Sequence, residues 1–544
     1  MQENNYQSDI IIVGGGLAGV VAALDLLDSG KSIIILDRDT RENFGGLAKW
    51  AFGGMLFVDT KHQRKQGIKD SLELTKHDWW SVAQFDKEEV WGKKWAEQYI
   101  NLCTAHGYRW LREHDINFFP VLNWVERGLI RPGNSVPRFH MVWGTGWALI
   151  KTLIKHLENH PKSNNLKIIC RHRATEIMAE QSSIKGVRGT NEQTGSPFTA
   201  LANQIVIATG GINGSIERVK ENWYKPWGKP PEVILNGAHE YAIGDLHDAT
   251  SQINGNVVNL EKQWNYVAGI RHYKPRHEGH GLSIVPGKSQ LWLNYEGRRF
   301  GPMPLMSPYD TRYLVEQICK EPIKYSWQLL NMKIASKEFA ISGSEHNELV
   351  RDKKFLQFLL KTAFVGNKKL VQKIADNCED MILAESLPEL VDKMNALTGD
   401  NYVKLKYIQQ AVENYDGQIT RGFFNDEQLR RIQYVRKYKG DRVRTCNLQR
   451  ILDPKAGPLI AIRSFIISRK SLGGIQTNLK SMVLTKPDAD GKQEPIPGLY
   501  AVGEAAGFGG GGMHGLGSLE GTFLGGCVIS ARVAAAHILN KSLS

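Results

Sequence analysis

Near the start of the chain, Gly14-Gly15-Gly16-Leu17-Ala18-Gly19 carries the spacing G-x-G-x-x-G. Gly14 permits a tight turn, Gly16 lets a pyrophosphate approach the backbone, and Gly19 lets a following helix lie close on a strand. The N-terminus of that helix then faces the phosphates. Asp37 stands about twenty residues further on, where a carboxylate can bind ribose hydroxyls. This set predicts a dinucleotide site and does not by itself say which dinucleotide. Two histidines are further candidates for chemistry. His514 sits in a glycine-rich stretch with few backbone alternatives, which favours a role beside the bound cofactor. His140, between Arg138 and the Gly144-Thr145-Gly146 turn, either reaches cofactor or substrate or pairs a backbone carbonyl.

The elements that must hold these residues can be read on both sides of them. Residues 9–13 and 32–36 are short apolar strands, and residues 17–27 have helical apolar spacing. Strand, glycines, helix, strand and acid in that order form the first half of a Rossmann-type unit. At the other end, residues 497–504 read as a strand running into a loop that ends in Glu504. Glycines at 507–512 follow, and residues 519–535 read as a helix of small and apolar residues.

This closing segment resembles that of the fumarate reductase/succinate dehydrogenase flavoprotein superfamily. Further stretches resemble it in the same order: Gly45-Gly46 with Gly53-Gly54, the strand and turn through Ala208-Thr209-Gly210, Gly244-Asp245, and the segment from Trp292 to Arg299-Phe300. The resemblance implies FAD. Its contacts would be Gly14, Gly16, Leu17, Ala18, Gly19, Asp37, Arg38, Gly45, Gly46, Gly53, Gly54, Ala208, Thr209, Gly210 and Asp245. From the far end would come Gly503, Glu504 on the ribityl chain, Gly517, Ser518 and Leu519. The last helix would aim its N-terminus at the flavin pyrimidine, where reduced flavin is negative. The histidine that attaches FAD in respiratory members is absent from residues 45–54, so the cofactor is expected to be non-covalent.

The expected fold class is α/β: a Rossmann-type FAD-binding domain in two sequence segments, with an inserted α+β catalytic (cap) domain. Residues 167–207 read as a β-meander. From about residue 277 glycine thins and lysine-rich amphipathic helices appear at 348–364, 368–378, 387–397, 405–415 and 426–437. The expected boundaries are 1–276, 277–455 and 456–544.

Within the superfamily, dicarboxylate enzymes carry a histidine and an arginine at stretches that here read Gln263-Trp-Asn-Tyr266 and His514-Gly-Leu-Gly-Ser-Leu519. The first histidine and the arginine are missing, while Arg138, Arg271, Arg276 and Arg463 are left without a role. The chain resembles most the 3-ketosteroid-Δ1-dehydrogenase-like subgroup. That resemblance makes Gly517 the backbone donor to a ketone oxygen and Tyr309, in Ser307-Pro308-Tyr309, the proton acceptor. Met513 stands where the family has a tyrosine, so His514 is the neighbouring side-chain donor. The implied activity is hydride transfer between an apolar cyclic ketone and flavin N5. The alternatives are reduction of an unsaturated acid and a non-catalytic flavin electron carrier. A cap domain argues for a substrate, because covering a flavin serves to exclude water from a reaction.

Bulk composition fits this reading. A chain of 544 residues with 42% hydrophobic and 23% charged residues can bury two domain cores. The net charge is +13, with a basic cluster between Arg421 and Arg450, read as a solvated helix face near a site that handles anions rather than a nucleic-acid surface. Six scattered cysteines without metal spacing predict reduced thiols and no metal. His272, His277 and His280 are expected at the surface or a hinge. The tryptophans are expected mainly in the core. No signal peptide or membrane-length apolar run is evident, and a cytoplasmic location is expected. The expected partners are an apolar small-molecule substrate and an unidentified electron acceptor.

Overall fold

Ile10–Val13 and Ile33–Leu36 are four-residue strands buried along their whole length. Strands apolar on both faces need cover on both, which suits the middle of a parallel sheet. In the computed structural model, which describes residues 4–180, 183–307 and 309–543, they pair in parallel with each other, with Gln204–Ile207 and with Leu166–Ile169. Pro495–Ala501 adds a further parallel strand from the far end of the chain, and Met482–Leu484 closes that edge antiparallel. Side chains alternate between faces, as strand geometry requires. Ile10 and Ile12 pack in the cluster that contains the Leu17–Leu27 and Thr522–Ile538 helices. Ile11 and Val13 face the opposite cluster, with Ile177, Val187 and Phe198 of the meander.

The second sheet has the order Leu291–Leu293, Tyr325–Asn331, Leu459–Ser471, Gln263–Arg271, Gly281–Val285 and Ala340–Ile341, with Leu235–Asn236 and Met381–Ala384 also pairing on Leu459–Ser471. It therefore recruits strands from both sides of the expected 277–455 insert. The drop in glycine near residue 277 marks where the surface helices take over, not where this sheet's hydrogen bonds begin. Leu459–Ser471, at 13 residues, runs the depth of the sheet and ends against the first layer, where the Ser471 N–H donates to Glu504 Oε1 at 2.9 Å.

Two helix expectations shift. The stretch 348–364 is broken after Glu348–Arg351, where Lys353 takes a left-handed φ of 57°. The last helix is Thr522–Ile538, because Gly521 (φ 100°) turns the chain at its N-cap; Ser518 and Leu519 lie before it. Among the described residues, no helix is long and apolar enough to cross a membrane. All six cysteines are free thiols.

Candidate functional site

The turns that leave the C-terminal ends of the parallel strands converge, as expected for a ligand crevice in an open α/β sheet. They carry Gly14, Gly15 and Gly16 after Val13, Asp37 after Leu36, Ala208, Thr209 and Gly210 after Ile207, and Glu504 after Ala501. Together these residues line one cavity of about 430 Å³, whose remaining walls come from the second sheet.

The three glycines of the motif do different work. A Cβ on Gly14 would stand 2.3 Å from the Ala208 carbonyl oxygen, and φ there is 106°. One on Gly19 would stand 2.0 Å from the Gly14 carbonyl oxygen, so close helix–strand packing fixes that residue. A Cβ on Gly16 would meet no protein atom within 4 Å. Gly16 caps the N-terminus of the Leu17–Leu27 helix and lines the cavity, so the room it keeps is room for a ligand. Asp37 accepts from the Gly15 N–H at 2.5 Å and the Asp39 N–H at 2.7 Å, while burial pushes its carboxyl above the usual range. Arg38 is held by Glu192 and lies 4.5 Å over the Tyr241 ring. Arg173 makes two bonds to Asp245, at 2.8 and 2.7 Å.

Deeper in the cavity, Glu504 is half-buried and raised by desolvation, against the opposing charge of Lys470; desolvation in turn lowers Lys470. Glu520 accepts from Trp264 Nε1 at 2.8 Å and from the Tyr266 hydroxyl at 2.5 Å. Glu126, at a left-handed φ of 49°, accepts from the Thr311 N–H at 3.0 Å and from its hydroxyl. Burial, then the Glu520 charge, raises the Glu126 carboxyl well above its ordinary value. Val267, Ala268, Ile284, Leu314 and Ile341 form an apolar wall.

The model for the family described as "FAD binding domain" matches residues 9–524. The chain belongs to this FAD-binding family. It is 40% identical over 97% of its length, and 95% of theirs, to the KsdD-like steroid dehydrogenases of Mycobacterium tuberculosis. To the protein of that name from Mycolicibacterium smegmatis it is 40% identical over 95% of its length and 96% of the relative's. Its fold is that of the 3-ketosteroid Δ1-dehydrogenase from Sterolibacterium denitrificans (TM-score 0.69, 14% identity, 98% of this chain and 99% of the other). It is shared too by a flavocytochrome c3 fumarate reductase (TM-score 0.66, 20% identity, 99% of this chain and 79% of the other).

The cavity fits FAD on its own residues. Beyond the space at Gly16, three buried polar atoms on residues that line it have no hydrogen-bond partner among the described residues: Arg38 Nη1, Thr209 Oγ1 and Arg469 Nε. Of the expected cofactor residues, Gly14, Gly16, Leu17, Ala18, Asp37, Arg38, Gly46, Gly53, Gly54, Ala208, Thr209, Gly210, Asp245 and Glu504 line the cavity. Gly19, Gly45, Gly503, Gly517, Ser518 and Leu519 do not. A Cβ on Gly45 would stand 2.2 Å from Ile150 Cγ2, and one on Gly503 2.9 Å from Ala18 Cβ, so protein packing occupies both. At the far end, Glu520, Gly521 and Phe523 take the cavity-lining positions instead, because the helix begins later than expected.

None of the four expected catalytic residues is among those that line the cavity. His140 is fully buried; Nδ1 donates to the Arg138 carbonyl and Nε2 accepts from Thr60, both at 2.7 Å. Burial lowers it to about 3, which makes it a neutral core residue. His514 stacks on Trp79 at 5.8 Å, with Nε2 2.9 Å from Thr522 Oγ1, and burial lowers it also to about 3. A Cβ on Gly517 would stand 2.6 Å from the Val82 carbonyl oxygen, so that face is filled by protein. Tyr309 is buried beside Arg431, and burial pushes its phenol up to about 12, the wrong direction for a base. Its neighbours Ser307 and Thr311 do line the cavity; Pro308 lies outside the described residues.

Sequence reasoning missed Glu126, Tyr266, Arg444, Arg469, Lys470 and Glu520, all cavity-lining. One local signal existed: the adjacent cations Arg469-Lys470 close a strand that runs through the apolar stretch Phe465-Ile466-Ile467. Arg444, from the basic cluster read as a solvated face, is half-buried, and desolvation lowers it. The histidines expected at the surface also move inward: His272 and His280 are buried and stack at 4.5 Å. His272, Glu345 and His346 bring ligand-type atoms within 4.8 Å of one another. However, His272 Nδ1 accepts the Lys274 N–H at 2.9 Å, which leaves the ring proton on Nε2, the atom facing Glu345. Arg276 lies 3.9 Å from the same carboxylate. The group is an ion-pair cluster, not converging lone pairs around a metal.

Proposed function

We propose that this chain is an FAD-dependent dehydrogenase that removes hydrogen from adjacent ring carbons of an apolar, steroid-like ketone. The observation that carries the reading is the 40% identity to the KsdD-like steroid dehydrogenases across 97% of the chain. The apolar wall of Val267, Ala268, Ile284, Leu314 and Ile341 supports it, because such a surface favours a ring system over a dicarboxylate. Bound flavin supplies the hydride acceptor at N5. Around it, the Leu17–Leu27 helix N-terminus and Gly16 would receive the pyrophosphate, and Asp37 and Arg38 the nucleotide end. Glu504 serves the ribityl chain. The thiols are free and no membrane-length helix is present among the described residues, which suits a cytoplasmic enzyme.

The four arginines that could have clamped a dicarboxylate are engaged elsewhere. Arg138 is on Asp70 and Asp78, Arg271 and Arg463 on Asp380, and Arg276 stands over Trp50 beside Glu345. A second reading, reduction of an unsaturated acid, keeps support from Arg444, Arg469 and Lys470, three of the cations that line the cavity. Anaerobic mixing of the holoenzyme with a ring-saturated 3-ketosteroid separates the two: bleaching of the flavin supports the dehydrogenase. No bleaching by ring ketones, together with fumarate-dependent reoxidation of the reduced enzyme, would establish the second.

A further inference from the structure

We propose that Glu520 is the proton acceptor of this reaction, with Trp264 and Tyr266 as the residues that position it. The inference rests on the dehydrogenase reading above. Glu520 lines the cavity directly before Gly521, the N-cap of the Thr522–Ile538 helix. Both of its donors, Trp264 Nε1 and the Tyr266 hydroxyl, meet the same oxygen, Oε1. Among the described residues no hydrogen bond occupies Oε2. One oxygen is thus anchored and the other left to accept a proton, the arrangement a general base needs. The anchoring donors lie on Gln263–Arg271, the strand that also contributes Val267 and Ala268 to the apolar wall, so base and substrate surface share one rigid element.

The step balances without a further reactant. The C–H proton beside the ketone passes to Glu520. The electron pair it leaves would form the ring C=C, and flavin, when bound, would supply the acceptor for the hydride lost from the adjacent carbon. A carboxylate is required at that moment, and of the carboxyl groups that line the cavity Glu126 is the one raised by burial and by the charge of Glu520. Glu126 has both oxygens engaged by Thr311, the N–H on Oε2 and the hydroxyl on Oε1, whereas both donors to Glu520 share Oε1. Tyr266 cannot replace Glu520 as the base: burial and the Glu520 charge raise its phenol, keeping it a donor.

The test uses the holoenzyme. Glu520→Gln is expected to retain FAD and bleach at least about a hundred-fold more slowly with a ring-saturated 3-ketosteroid. Glu520→Asp should keep part of the rate, and Tyr266→Phe should lower kcat with little change in KM. With the flavin reduced beforehand, hydride transfer is blocked. The wild type should then still wash deuterium from the carbon beside the ketone into solvent, and Glu520→Gln should not. Wild-type bleaching and exchange in Glu520→Gln would overturn the assignment, as would loss of FAD from that variant, which would make Glu520 a cofactor ligand. Failure of the wild type to bleach with any ring ketone would instead overturn the dehydrogenase reading, and the assignment with it.

Discussion

Arg138 Nη1 donates to Asp78 Oδ2 at 2.6 Å, and neither side chain reaches solvent. Asp70 takes the other edge of the same guanidinium. Removing one member strands a buried charge, which costs about 3–5 kcal/mol. Arg138→Ala should therefore lower unfolding stability by that amount, read from denaturant midpoints. A raised KM at unchanged stability would show the arginine to be a substrate contact instead.

Gly16→Val and Gly19→Val should separate cofactor binding from folding. The first adds atoms where no protein atom stands within 4 Å; the second drives a side chain into the Gly14 carbonyl. Gly16→Val is expected to fold, with the far-ultraviolet circular dichroism of the apoprotein, and to emerge colourless. Gly19→Val should lose about 1–3 kcal/mol or more of stability. A yellow Gly16→Val protein would refute the position of the pyrophosphate.

Heat or acid denaturation should release the flavin and leave a polypeptide of unmodified mass. Residues 45–54 contain no histidine, and the cysteines that are buried or pushed up by burial, such as Cys103 and Cys527 at about 12, are poor nucleophiles. Flavin retained in the intact-mass spectrum would contradict this.

Acid should destabilise the protein through its core histidines. His140 and His514 fall from 6.5 to about 3 because burial penalises their charged forms. Their contribution is fully present above pH 6.5. It is lost as pH falls toward about 3, since only the unfolded chain takes up those protons. Each adds a slope approaching about 1.4 kcal/mol per pH unit in that window. Urea midpoints measured down this range should fall, and His140→Gln should flatten the decline. A midpoint indifferent to pH there would show that these rings charge in the native state.

The nucleotide half was legible because its signals are local. The glycine motif, its helix and Asp37 occupy consecutive residues, and the Leu17–Leu27 helix has the bounds its apolar spacing gives. The second sheet was not legible, because its strands come from residues as far apart as Leu235 and Ser471 and their partners are set by packing. The same holds for the reactive wall: Tyr266 and Glu520 lie 254 residues apart and meet only in the fold. His140 and His514 looked chemical beside glycines and arginine, but glycine-rich turns also let a ring sink into the core, and both did so. Tyr309 is not among the cavity-lining residues, although Ser307 and Thr311, two positions to either side, are.

The Leu459–Ser471 strand acts as a ruler laid across both layers. Its early residues align with Tyr325–Asn331 and Met381–Ala384, and its last residue meets Glu504. Arg469 and Lys470, adjacent on the strand, both line the cavity where the pairing shifts register between Trp264 and Asn265, so a slip of one position would move both cations at that wall. Drift in the alignment of the outer sheet would thus be transmitted as a change of charge at the cofactor. Insertions should accordingly be tolerated in the loops around this strand and rejected within it.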